Sequence, residues 1–127
     1  MPAIKRELEL SYDDVLDKLP EELKKEGFGV LTEIDVKETL KKKLDVDFRR
    51  YKILGACNPP IAHRALNTDL DVGVLLPCNV LVYEGDGGKT VVSAVDPEAA
   101  MSPFGEEELA ELAKDVRTRL SRALEAL

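Results

Sequence analysis

Arg50–Glu84, RYKILGACNPPIAHRALNTDLDVGVLLPCNVLVYE, decides how this chain folds. It carries both cysteines and the only histidine, and it contains two apolar runs, Tyr51–Cys57 and Val80–Tyr83. Each run is too short for a stable helix, and its β-branched and aromatic content suits a strand buried on at least one face. Between them, Asn58 can cap a helix through its side-chain oxygen, and Pro59 or Pro60 fits a first turn that has no use for a backbone donor. The segment Ile61–Leu66 therefore reads as a short helix with Ile61, Ala65 and Leu66 inward. Asn67–Asp71 ends it, Gly73 permits a bend, and Pro77 stands where a strand can still do without a donor.

How that detour returns decides whether a site exists. Antiparallel neighbours would bring the end of the first run and the start of the second, Cys57 and Cys78, to one edge of the sheet. A parallel crossover would leave them at opposite ends and needs a dozen or more residues returning over the sheet face. Most of the connection looks irregular, so the sequence favours the antiparallel pairing.

Outward from this centre, Ile4–Leu10 alternates polar and apolar residues and reads as a half-buried edge strand. Ser11 caps a helix that carries Val15, Leu16, Leu19 and Leu23 on one stripe and crosses Pro20 with a kink or a short break. Phe28–Val36 reads as a second strand. Val36–Leu44 reads as a short helix with Val36, Leu40 and Leu44 along one line. Gly85-Asp86-Gly87-Gly88 is a hairpin signal joining Val80–Glu84 to Thr90–Val95. Asp96-Pro97 breaks that strand, Glu98–Gly105 reads as a loop, and Glu106–Leu127 as the longest helix.

With 127 residues the chain fits one domain, residues 1–127, and can bury a core without disulfides or metal. Its net charge of −7 argues against a nucleic-acid binder. No apolar run approaches the roughly 20 residues of a membrane span, and Met1–Leu10 has no signal-peptide core, which gives the expectation of a cytoplasmic protein away from membranes. Its cysteines should then be reduced. The absence of glutamine and the wealth of Lys, Glu and Arg are thermophile-like, and in a hyperthermophile a Cys57–Cys78 bridge becomes feasible.

The candidate ligand-binding residues are Cys57, Asn58, His63, Arg64 and Cys78. Before a helix amino terminus, Cys57 would have its thiolate stabilised, as a redox-active or metal-binding thiol requires. The plainer alternative makes both cysteines small buried hydrophobes and His63 an exposed helix residue. The spacing Cys-x5-His-x14-Cys matches no standard zinc arrangement and lacks a fourth ligand. The helix opening at Asn58 could hold an anion, with Arg64, Arg49 or Arg50 nearby, but two prolines remove donors such a site would use. Lys37–Arg64 holds eight basic and three acidic side chains, either a solvated face or a patch for self-association with acidic helices. Its only stacking partners, Phe48 and Tyr51, are thin for single-stranded RNA. Asp69, Asp71 and Asp96 are explained more simply by turn chemistry than by acid–base catalysis.

The blocks Lys52-Ile53-Leu54-Gly55-Ala56-Cys57-Asn58-Pro59, Ala62, Gly73, Leu76-Pro77-Cys78-Asn79-Val80 and Asp96-Pro97 together resemble the domain of unknown function 302 family, over nearly the whole chain. The resemblance implies a small α+β domain in soluble prokaryotic proteins, with an antiparallel sheet backed by helices on one face, and it implies no activity. The expected fold is accordingly an α+β two-layer sandwich: a curved, mostly antiparallel sheet of about five strands, a β-α-β opening and a long C-terminal helix, with helices packed on one face and a groove at the Cys57 and Cys78 edge. Two functions fit. One is a non-enzymatic, homodimeric module that binds a small molecule or anion or self-associates through the groove or a strand edge. The other is a thiol-redox or metal-dependent enzyme using Cys57, Cys78 and His63.

Overall fold

The computed structural model describes residues 3–127. Five strands, β1 (Ala3–Leu8), β2 (Gly29–Asp35), β3 (Tyr51–Cys57), β4 (Cys78–Glu84) and β5 (Thr90–Val95), form one sheet in the order β1-β5-β4-β3-β2. Every neighbouring pair is antiparallel, including β3 with β4, where Ala56 faces Cys78 and Tyr51 faces Tyr83. The β-α-β opening is present, but its two strands are the two edges of the sheet and never touch. Helix α1 (Tyr12–Lys25) has to carry the chain across the whole sheet. Its 14 residues span about 21 Å, close to the roughly 19 Å between the outer strands of a five-stranded sheet.

Alternation along the strands sorts the side chains into two faces. Leu54, Ala56, Cys78, Val80, Val82, Val92 and Ala94 point to one face and are buried against Val15, Leu19 and Leu23 of α1 and Val116, Leu120 and Leu124 of α5 (Glu107–Glu125). A smaller core joins Ala65 of α3 (Pro59–Thr68), Val72 of a 3₁₀ turn (Leu70–Leu75) and Met101 to Leu109, Leu112 and Ala113 of α5. No helix core forms on the opposite face.

Three local expectations are corrected. The short break, one of the two alternatives at Pro20, is absent: α1 runs unbroken from the Ser11 cap, whose hydroxyl accepts from the Asp14 amide. Residues 98–104 are not a loop. Asp96 accepts from the Glu98 amide, Pro97 takes the first helical position, and a helix α4 (Pro97–Met101) runs into a 3₁₀ turn, Ser102–Phe104. Helix α3 begins at the expected Asn58 cap with both prolines in its first turn, and it runs on past Leu66 to Thr68. Helix α2 (Val36–Leu44) matches its expected bounds but buries none of its residues.

Candidate functional site

The two cysteines come to the same end of the sheet. Cys78 opens β4 opposite Ala56, and Cys57 is the next residue of β3, opposite Gly29 of β2. Strand alternation directs the side chain after Ala56 to the face away from Cys78. Both thiols are free. Cys78 is buried in the main core, and that burial, with a smaller contribution from Cys57, pushes its thiol pKa up to about 11. A thiol so placed is a packing group and a poor nucleophile. Beside it, Phe28, Ala56, Asn58, Ile61 and Leu112 close around a cavity of about 20 Å³, room for roughly one water molecule. Cys57, Asn58 and Cys78 line this cavity together, and in place of the wider groove expected at this edge there is a narrow seam.

Asn58 earns its place structurally. Its oxygen accepts from the Ile61 amide at 3.4 Å, capping α3, while its Nδ2 donates to the Glu26 carbonyl at 3.4 Å, at the end of α1. Arg119 of α5 donates to the same carbonyl at 3.2 Å. The Asn58 amide thereby ties α3 to α1, and the shared Glu26 carbonyl brings in α5. Gly27, at φ +89°, lets the chain leave α1 under Asn58, whose Nδ2 would lie 2.8 Å from any Cβ there. The helix opening offers an anion nothing further, since the cap is filled and Pro59 and Pro60 carry no amide hydrogen.

His63 and Arg64 do not join this cluster. Both are exposed on α3, His63 Nε2 beside Asn67 Nδ2 at 3.3 Å and Arg64 paired with Glu108 of α5 at 3.4 Å. Among the described residues no group of three or more His, Cys, Asp and Glu side chains could hold a metal ion, so Cys57, Cys78 and His63 are not assembled as ligands. The basic segment is locally neutralised: Lys41 pairs with Asp45, Lys42 with Glu38, Arg49 with Asp86 and Lys52 with Glu33. Asp69 and Asp96 serve as caps, the latter also pairing with Arg117. No helix among the described residues is long and apolar enough to cross a membrane.

What the sequence reading missed lies on the other side of the sheet. On β3, Tyr51, Ile53, Gly55 and Cys57 share the helix-free face. They are joined there by Asn79, Leu81 and Tyr83 of β4 and Val91, Ser93 and Val95 of β5. None of these ten is charged. Tyr51 and Tyr83 stack with centroids 5.1 Å apart and planes 7° from parallel, and Phe48 tilts against Tyr51 at 6.2 Å. The signal was present in the pairs Ile53-Leu54 and Leu81-Val82, apolar at both parities where a half-buried strand alternates. At the same end of the sheet but on its helix-bearing side, Arg50 holds Glu84 at 3.2 Å and lies 4.5 Å from the ring centroid of Tyr12 in α1. Its hydrogen bonds hold the Glu84 carboxyl below its usual range.

The chain also matches known proteins. The family model for the domain of unknown function DUF302 matches residues 4–127. No curated protein matches. An uncharacterized conserved protein DUF302 from Bacillus stearothermophilus, solved by crystallography, is 35% identical and superposes with a TM-score of 0.92, covering 98% of this chain and 97% of that one. A match over that span, with the fold, strand order and Cys-Asn-Pro and Leu-Pro-Cys blocks described above, means that this chain belongs to the DUF302 family.

Proposed function

We propose that this protein is a non-enzymatic, self-associating module that forms a homodimer through the helix-free face of its sheet. One observation carries the reading: the three central strands present ten residues to that face and none is charged, Gly55, Val91 and Ser93 being buried and most of the others half-buried. Antiparallel sheets that face water on one side normally carry polar residues there, and contiguous apolar patches mark interaction surfaces. Stacked tyrosines at one end of the face supply the aromatic anchors that interfaces favour. Two such sheets can pack about 10 Å apart with their strands nearly aligned.

The area sets the strength. The three central strands, about 4.8 Å apart and some 20 Å long, give a flat footprint of roughly 300 Å² per copy, flanked on β1 by Lys5 and Glu7. Side-chain relief and the rim residues Phe48 and Ile34 raise this towards the low end of the roughly 1,200–2,000 Å² buried in stable pairs. The dimer should therefore dissociate on dilution. A small-molecule site at the Cys57, Asn58 and Cys78 end is less well supported, because its cavity admits roughly one water.

Light scattering on the eluting protein, from micromolar to millimolar concentration, tests the proposal. The expected result is a shift from one copy to two. Leu81→Lys, in the middle of the face, should hold the chain as a folded monomer with unchanged circular dichroism, while Val74→Lys, at an exposed apolar position elsewhere, should leave the dimer intact. A wild-type chain that stays monomeric throughout, or a Leu81→Lys variant that still dimerises, would overturn it.

A further inference from the structure

The two edges of the sheet are not alike. β1 is blunted by Lys5, Arg6 and Glu7, and Arg6 crosses to the Leu124 carbonyl at 2.7 Å. β2 confines its charges, Glu33 and Asp35, to one end: Gly29–Thr32 is uncharged and exposed, with Leu31 67% accessible, and Ile34 is 49% accessible. Among the described residues no backbone hydrogen bond reaches its outer side. Exposed apolar edge strands are templates for adding another strand, and charged residues and bulges are the ordinary defences. A bulge between Val30 and Thr32 shifts the register against β3 and leaves Leu31 projecting.

Beside this edge, on the helix-bearing side, α1 and β2 enclose an open groove of about 350 Å³. Asp13, Asp17 and Glu33 line it with Lys52 as the single cation, over an apolar floor that includes Leu16 and Val30. Lys52 is already held by Glu33 at 2.7 Å, and Asp13 by Arg50 at 3.3 Å, which leaves Asp17 in no ion pair among the described residues. We infer that β2 is a strand-addition site for an extended segment of a partner protein in which basic residues alternate with aliphatic ones.

Main-chain bonds to the open edge supply the attachment, and side chains of period two divide between the two faces. Lysines or arginines of the added strand reach the acidic groove, and the aliphatic residues lie beside Ile34 on the opposite face. A second copy's β2 fits less well, because it would set Glu33 and Asp17 against their own counterparts. The site adjoins the proposed dimer surface at Ile34, but its main-chain attachment is the outer edge of β2 and not the face of the central strands.

The test uses a capped six-residue peptide of alternating lysine and valine, with a glutamate–valine peptide and a proline-interrupted lysine–valine peptide as controls. Titration calorimetry and amide hydrogen exchange on the full chain read the result. The lysine–valine peptide should bind and slow exchange within residues 29–35, and Asp17→Lys should weaken it about three- to fivefold, the scale of one exposed ion pair. No binding at millimolar peptide would overturn the inference. So would protection appearing on β1, equal binding of the proline-interrupted peptide, or slowing of β2 exchange by protein concentration alone.

Discussion

Gly55 has room for a hydrogen and nothing more. A Cβ built there would collide with Thr32 Oγ1 and come within 2.7 Å of the Pro77 ring, so Gly55→Ala forces a rigid ring and a strand apart. Overpacking of this kind costs about 1–3 kcal/mol, measurable as a lowered urea midpoint. Gly29→Ala, one strand over, meets nothing within 4 Å and should stay within about 0.5 kcal/mol of the wild type. Asn58→Ala removes a helix cap and one of two donors to the Glu26 carbonyl, for a loss of about 1–2 kcal/mol in the same assay. Cys78 gives a pH dependence whose sign is fixed by burial. Its thiol rises from 9.0 to about 11 on folding, so the unfolded chain loses its proton first and stability is full below pH 9 and declines towards pH 11. Two pK units correspond to about 2–3 kcal/mol, and Cys78→Ser should flatten that part of the urea-midpoint profile. Much of this residue chemistry was legible in Asn58-Pro59-Pro60, because a cap acts on its own backbone. Gly55 was not, since its constraint comes from Thr32 and Pro77, 23 and 22 positions away in the sequence.

Elements were read well where period and punctuation agreed, and poorly where a short helix was held only by its ends. The Ser11 and Asn58 caps and the glycine-rich turn at residues 85–88 place the starts of α1 and α3 and the β4–β5 hairpin, because each signal is local. Helix α4 was invisible: five residues hold no useful periodicity, and only the Asp96 cap and Pro97 mark it. Pro20 misled in the other direction, since burial of Val15, Leu19 and Leu23 holds α1 continuous through it. Strand partners were harder still. That β1 and β2 lie at opposite edges depends on how far α1 reaches across the sheet, which no single stretch records. Helix α2 is the counter-example to α1: nine residues, none buried, shorter than the roughly 12–15 an isolated helix needs. It is kept by the Asp35 cap to Glu38, surface ion pairs and the Lys37 bond to the Phe48 carbonyl at 2.8 Å. Amide exchange should therefore be much faster across residues 40–44 than across 112–124 of α5, where Leu112, Leu120 and Leu124 are buried. Protection of α2 equal to that of α5 in the monomeric Leu81→Lys variant would mean that this helix is held by contacts not described above.

At the scale of the whole molecule, the chain carries −7 yet keeps one sheet face free of charge across its central strands. Those two facts make opposite contributions to self-association. Two copies of like net charge repel over a distance that shortens as salt rises, from about 30 Å at 0.01 M to about 10 Å at 0.1 M. The face between them has no charge at its centre for salt to screen. Added sodium chloride should therefore tighten the dimer, and so should acidification towards the sequence pI of about 4.8, where net charge vanishes. Pairing of the basic Lys37–Arg64 segment with acidic helices of a second copy would respond the other way, weakening as salt screens the attraction. Sedimentation equilibrium across a salt series at pH 7 separates the two. A dissociation constant that falls with salt fits the uncharged face, and one that rises would move the contact to the charged surfaces and away from Tyr51, Leu81 and Tyr83.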